Sequence, residues 1–128
     1  MNVDSLPKEL CWAAEAAQSK KATAVTVLSL IGLGAFAEYF VVCSAGSVRQ
    51  IEAIGEEIEQ RLHERGLRRP HREGRSGTEW LLLDYGSFVV HVFSEKARAF
   101  YDIERLWRAA KRFDIAEPSR SAAPSGGS

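Results

Sequence analysis

The sequence predicts an α/β fold: a mixed β-sheet of about five strands with helices packed against it. Three observations carry that expectation. Apolar residues recur at helical intervals over 5–20 and 47–66, β-branched runs bounded by glycine lie between and after them, and the last such runs form a tight hairpin. The resulting order, α-β-β-α-β-β-β-α, places helices against one mixed sheet.

In the first helix Ser5 is the expected cap, Pro7 suits the first turn, and Leu10, Ala14 and Ala17 fall on one stripe. Thr23 to Leu30 alternates and is rich in β-branched residues, so it is a strand, and Gly32 and Gly34 end it. Tyr39 to Ser44 is almost continuously apolar, which marks an interior strand. Ser47 and Gln50 have the spacing of a capping box, Ile51, Ile54, Ile58 and Leu62 repeat at helical spacing, and Gly66 stops the helix. A weak strand is expected near Arg68 to Arg72. Lys96 to Phe113 has a helical pattern with Phe100, Ile103 and Trp107 on one stripe. Residues 1–116 are expected to form one domain and 117–128, rich in Pro, Ser and Gly, a disordered tail.

Composition narrows the function classes. Hydrophobic residues make up 45% and charged residues 27%, as in an ordinary soluble domain. Seventeen basic residues balance seventeen acidic ones, so no global field draws the chain to nucleic acid or membrane. Cys11 and Cys43 lie far apart with no CxxC pattern, which supports neither a zinc site nor a redox pair. The N-terminus lacks the basic-then-apolar order of a signal peptide, and the most apolar run, Ala22 to Ala37, is too short and glycine-broken to span a bilayer. A cytoplasmic protein is expected.

The hairpin over 79–94 is the most informative stretch. Gly86-Ser87 as a two-residue loop sets the register, pairing Tyr85 with Phe88, Leu83 with Val90 and Leu81 with Val92 on a core face. The opposite face carries Trp80, Leu82 and Asp84 against Phe93, His91 and Val89. That mixture leaves two readings open: cover by a helix, or an exposed strand surface on which Trp80 anchors a partner. On the second reading Trp80→Ala spares the fold and weakens binding.

Catalytic chemistry finds little support. Asp84 and His91 have no Ser or Cys nucleophile motif beside them. His63 and His71 lack metal-ligand spacing. Gly46-Ser47, between a strand and a helix, is the position where nucleotidyltransferases use Gly-Ser to cradle phosphate. Those enzymes also need paired carboxylates on a following strand, and EWLLLD and FVVHV supply no Asp-x-Asp or Asp-x-Glu. A nucleotidyltransferase-like enzyme or nucleotide-binding protein using this turn is the alternative reading. Six arginines and two histidines between Arg61 and Arg75, diluted by Glu64 and Glu73, allow a secondary contact to RNA through Arg68, Arg69 and Arg72.

Three segments together resemble the ribosomal silencing factor family, also called RsfS or Iojap-like: EYFVVCSAGSVRQIEAIGEEI at 38–58, GTEWLLLDYGSFVVHVF at 77–93 and FYDIERLW at 100–107. The resemblance implies a nucleotidyltransferase-like fold that has lost its catalytic carboxylates, no cofactor and no enzymatic activity. It implies binding to the large ribosomal subunit through its fourteenth protein, at the subunit interface. There the factor blocks joining of the small subunit and represses translation under nutrient limitation. It also implies a homodimer of the free protein. Carried over by position, the partner-binding strand matches Trp80, Leu81, Leu82, Asp84 and Tyr85, and the C-terminal signature matches Tyr101, Glu104 and Trp107. Leu28-Ser29 stands where the family usually has Leu-Asp, and Glu38 where it usually has Asp before Tyr-Phe. The first change removes a carboxylate near the Gly-Ser turn.

Overall fold

The computed structural model describes residues 5–74 and 77–118; residues 119–128 of the expected tail lie outside that range. The described chain runs α1 (Lys8–Ser19), β1 (Thr23–Ser29), β2 (Tyr39–Ala45), α2 (Val48–Glu64), β3 (His71–Glu73), β4 (Trp80–Asp84), β5 (Phe88–Ser94), α3 (Glu95–Tyr101), α4 (Ile103–Leu106) and β6 (Lys111–Asp114). One six-stranded sheet has the order β3-β4-β5-β2-β1-β6. Only the central pair β2–β5 is parallel; the other neighbours are antiparallel. A parallel pair cannot be closed by a tight turn, and the excursion through α2 supplies the long connection it needs.

α1 and α2 cover one face of the sheet and enclose the main core, in which Leu10, Val27, Val41, Ile54, Leu83 and Val90 are almost fully buried. α2 is capped much as its sequence predicts. The Ser47 hydroxyl accepts from Gln50 N at 3.0 Å, and the Gln50 side chain reaches back to accept from Gly46 N at 2.6 Å. Gly66, at φ +95, ends the helix, letting Leu67 N donate to the Leu62 carbonyl at 2.9 Å. Gly55 is demanded by packing, because a Cβ there would run into the Leu81 side chain. That close approach seats β4 on α2.

Two expectations are corrected. Pro7, not Ser5, occupies the N-cap of α1 and makes no side-chain cap hydrogen bond. The sheet has a sixth strand because the segment expected as one helix over 96–113 breaks in two and then extends. Asp102 adopts the left-handed conformation (φ 48, ψ 49) and ends α3 after Tyr101. α4 makes a single turn, and β6 then pairs with β1, where Phe113 faces Val27 in the core. Phe100, Ile103 and Trp107 therefore form no common stripe. Phe100 is exposed, while Ile103 and Trp107 are half-buried.

Candidate partner-binding face

The β4–β5 register is the one the two-residue turn dictates: Trp80 opposes Phe93, Leu82 opposes His91 and Asp84 opposes Val89. Cross-strand partners share a face, so these six lie on the side away from α1 and α2. β3 extends the face outward, with His71 opposite Asp84 and Glu73 opposite Leu82, while Phe40 and Val42 of β2 extend it inward. α3 covers only part of it. Val42, Phe93 and Ala97 form a second, smaller cluster, with Phe40, Trp80 and Ile103 packed around it. Toward the β3 edge the cover stops, leaving Trp80, Leu82 and Asp84 half-buried. One half of the strand face is thus covered by a helix and the other half is open.

Trp80 sits at the boundary between the halves. Its indole stacks on Phe93 at 5.0 Å and meets Tyr101 at 4.6 Å. Its Nε1 donates to His91 Nδ1 at 3.0 Å. With this packing Trp80→Ala is expected to lower stability as well as binding while the chain still folds.

A His91 that accepts at Nδ1 is neutral and carries its proton on Nε2, an atom that is buried with no partner among the described residues. Burial pushes the His91 pKa down to about 4. The unfolded chain therefore binds a proton near pH 6.5 that the folded chain refuses until about pH 4. This contribution to stability is present in full above pH 6.5 and is lost as pH falls toward 4. The expected loss is up to about 3 kcal/mol, and urea unfolding at stepped pH measures it. His91→Phe should flatten the slope across this window; an equal slope in that variant would remove His91 as its cause.

The remaining candidate residues divide clearly. Tyr101 is 51% exposed and meets both Trp80 and the 79% exposed Phe100. Asp84 accepts from Gly86 N at 2.8 Å, fastening the turn whose Gly86 has φ +90. Tyr85 stacks on Phe88 at the core edge. Burial, with Glu59 adding to it, raises the Tyr85 pKa. Leu81 is fully buried under α2 and leaves the set of residues that can touch a partner. Glu104 is held between Arg98 and Arg112. Trp107 is half-buried, edge-on to Phe40.

Of the arginines, Arg72 points to the α2 side, pairing with Glu52 at 2.9 Å and Glu59 at 3.1 Å, so it is no free RNA ligand. Arg69 stands 3.8 Å from Glu59. Arg68 and Arg69 line a depression of about 650 Å³ shared with His71, Asp84 and Tyr85, at the open end of the strand face. Sequence reasoning missed Phe100 and Leu106, both strongly exposed. The helical pattern places Phe100 on one stripe with Ile103 and Trp107, whereas in α3 it is exposed and those two, beyond the Asp102 break, are half-buried. Among the described residues no group of three His, Cys, Asp or Glu could hold a metal ion, and no helix is long and apolar enough to cross a membrane.

The model of the family described as "Ribosomal silencing factor during starvation" matches residues 3–127. The chain belongs to the ribosomal silencing factor family. Relatives named ribosomal silencing factor RsfS include that of Bacillus subtilis, 36% identical over 103 residues, covering 80% of this chain and 87% of the relative. That of Halalkalibacterium halodurans is 35% identical over the same shares to within one per cent, 80% and 88%. The chloroplastic protein Iojap of Zea mays is 31% identical over 102 residues, 80% of this chain and 44% of that one. The fold matches a Chromobacterium violaceum crystal structure with TM-score 0.76 at 29% identity, covering 97% of this chain and 98% of the other. A Bacillus halodurans structure matches with TM-score 0.71 at 33% identity over 84% and 98%. A role in ribosome silencing follows from membership of this family.

Proposed function

We infer that this protein silences ribosomes by docking the open half of its second sheet face on the large ribosomal subunit. The docking point is the subunit's fourteenth protein, at the subunit interface, where a bound factor blocks entry of the small subunit and represses translation under nutrient limitation. The observation that carries this reading is the contiguous strip of Leu82, Trp80, Tyr101 and Phe100, apolar, rigidly stacked on one side and uncovered on the other. Aromatic anchors of this kind concentrate binding energy at interfaces. Asp84 flanks the strip, Tyr85 stands beside it at the core edge of the turn, and Arg68 and Arg69 extend it with positive charge suited to a nearby phosphate of ribosomal RNA.

The action is steric and non-enzymatic, and it takes place in the cytoplasm. Gly46 and Ser47, on which a nucleotide-binding reading rests, are engaged in capping α2. In the free protein the same strip is available to a second copy, giving a homodimer that dissociates on docking.

Sucrose gradients of ribosomes with added protein test the proposal. The expected profile has the protein comigrating with large subunits and fewer assembled ribosomes. Repeating the gradient at rising salt separates the two parts of the contact, because the Arg68 and Arg69 share falls with salt while the apolar share holds. Assembled ribosomes that persist at saturating protein would overturn the steric reading.

A further inference from the structure

Glu104 falls in the segment that the family resemblance marks for partner contact, yet its carboxylate is held inside the molecule by two arginines. It is 16% exposed. Arg98 grips both oxygens, Nε donating to Oε1 at 2.9 Å and Nη2 to Oε2 at 3.0 Å, and Arg112 Nη1 donates to Oε2 at 2.8 Å. Arg98, 12% exposed, uses its other N–H groups on the Ala24 carbonyl at 2.7 Å, Ser44 Oγ at 3.0 Å and Thr26 Oγ1 at 3.3 Å. One ion cluster thus joins α3, α4, β6, β1 and β2. The hydrogen bond from Arg98, helped by its charge and by Arg112, lowers the Glu104 pKa and keeps the carboxylate ionised.

The cluster spans a strained point. Asp102 lies between Arg98 and Glu104 and is left-handed without being glycine, a conformation that persists only when its surroundings hold it. Tyr101 immediately precedes this kink and carries its ring to 4.6 Å from Trp80. The cluster itself stands over β1, β2 and β6, whereas Leu82 and Asp84 lie on β4, on the far side of β5. A partner seated on the strip therefore lies across β5 from this carboxylate, which two arginines already hold through three hydrogen bonds.

We propose that Glu104 is a positioning residue: the Arg98–Glu104–Arg112 clamp fixes the Asp102 kink and so holds Tyr101 against Trp80 in the geometry that docks. The proposal rests on the docking reading above and assigns Glu104 a role within it that is indirect. Removing the carboxylate frees the kink, lets Tyr101 leave Trp80 and loosens the strip without altering any residue on it.

The test pairs Glu104→Gln with Arg112→Gln, which cuts only one arm of the clamp and leaves the Arg98 pair intact. Two readouts on the full chain are needed. One is the indole N–H resonance of Trp80, assigned by its loss in Trp80→Phe; the other is affinity for purified large subunits. Both variants should shift or broaden the Trp80 resonance and weaken binding, by about 2- to 30-fold for Glu104→Gln and by less for Arg112→Gln. Weaker binding with an unmoved Trp80 resonance would make Glu104 a direct contact and overturn the proposal, as would full binding despite a moved resonance. Leu82→Arg separates the two levels. If that change leaves binding intact the docking reading fails, whereas a moved Trp80 resonance in Glu104→Gln still reports the clamp. Should Glu104→Gln fail to fold, Arg112→Gln alone decides.

Discussion

Leu82→Arg should abolish association with the large subunit and leave the fold standing. Leu82 is half-buried on the open half of the sheet face, directly opposite His91 and Glu73. In the free protein an arginine there finds Glu73 across the strand pair and Asp84 two residues along the same face, so the substitution is accommodated. In the complex the same guanidinium must lose its water at the centre of an apolar contact, together with the carboxylates beside it. Truncating a residue at such a centre costs at least about 2 kcal/mol, roughly thirtyfold in affinity, and desolvating a charge there adds to that. Leu81→Arg provides the contrast one position away. Leu81 is fully buried beneath α2, so that change should prevent folding. Thermal unfolding and comigration with large subunits, measured on both, separate binding from stability. A folded Leu82→Arg that still comigrates would remove this face from the interface.

How much of this was legible in the sequence depends on the distance over which each element is determined. The hairpin was readable residue by residue because Gly86-Ser87 fixes the register and strand alternation does the rest. α2 was readable because Ser47, Gln50 and Gly66 signal its ends locally. The C-terminal segment was not. Phe100, Ile103 and Trp107 have helical spacing, and nothing in the local sequence announces that Asp102 will turn left-handed. That conformation is imposed by Arg98, Glu104 and Arg112, whose partners Ala24 and Thr26 lie more than seventy positions upstream. β6 was missed for the same reason: it is a strand only because β1 offers it an edge, and Phe113 is its single buried side chain. Arg72 looked like one of a loose run of arginines until the fold set it over Glu52 and Glu59. The candidate face was legible as a set of residues, but its division into covered and open halves needed the helix break.

Trp80→Ala is expected to lower stability by about 3 kcal/mol and to weaken docking beyond what that loss explains. The indole is only half-buried, so the packing lost against Phe93 and Tyr101 is about half of the 3–5 kcal/mol seen for fully buried aromatics. His91 Nδ1 then loses its donor inside a buried site, which adds about 1 kcal/mol or more. Together these should lower the midpoint of thermal unfolding by about 10 °C. Trp80→Phe keeps the stacking and forfeits only the N–H bond, so it should cost about 1 kcal/mol. Tyr101→Ala removes a ring that is 51% exposed and should change stability far less than Trp80→Ala. The three variants order differently in the two assays, and that difference carries the test. Stability should fall most in Trp80→Ala, whereas affinity for large subunits, measured well below every midpoint, should fall in both Trp80→Ala and Tyr101→Ala. If affinity instead tracks stability through the series, the stacked aromatics are merely core and the contact lies elsewhere. If Tyr101→Ala loses affinity at near-full stability, the stack is a surface built rigid in advance, so that docking orders little and costs correspondingly less entropy.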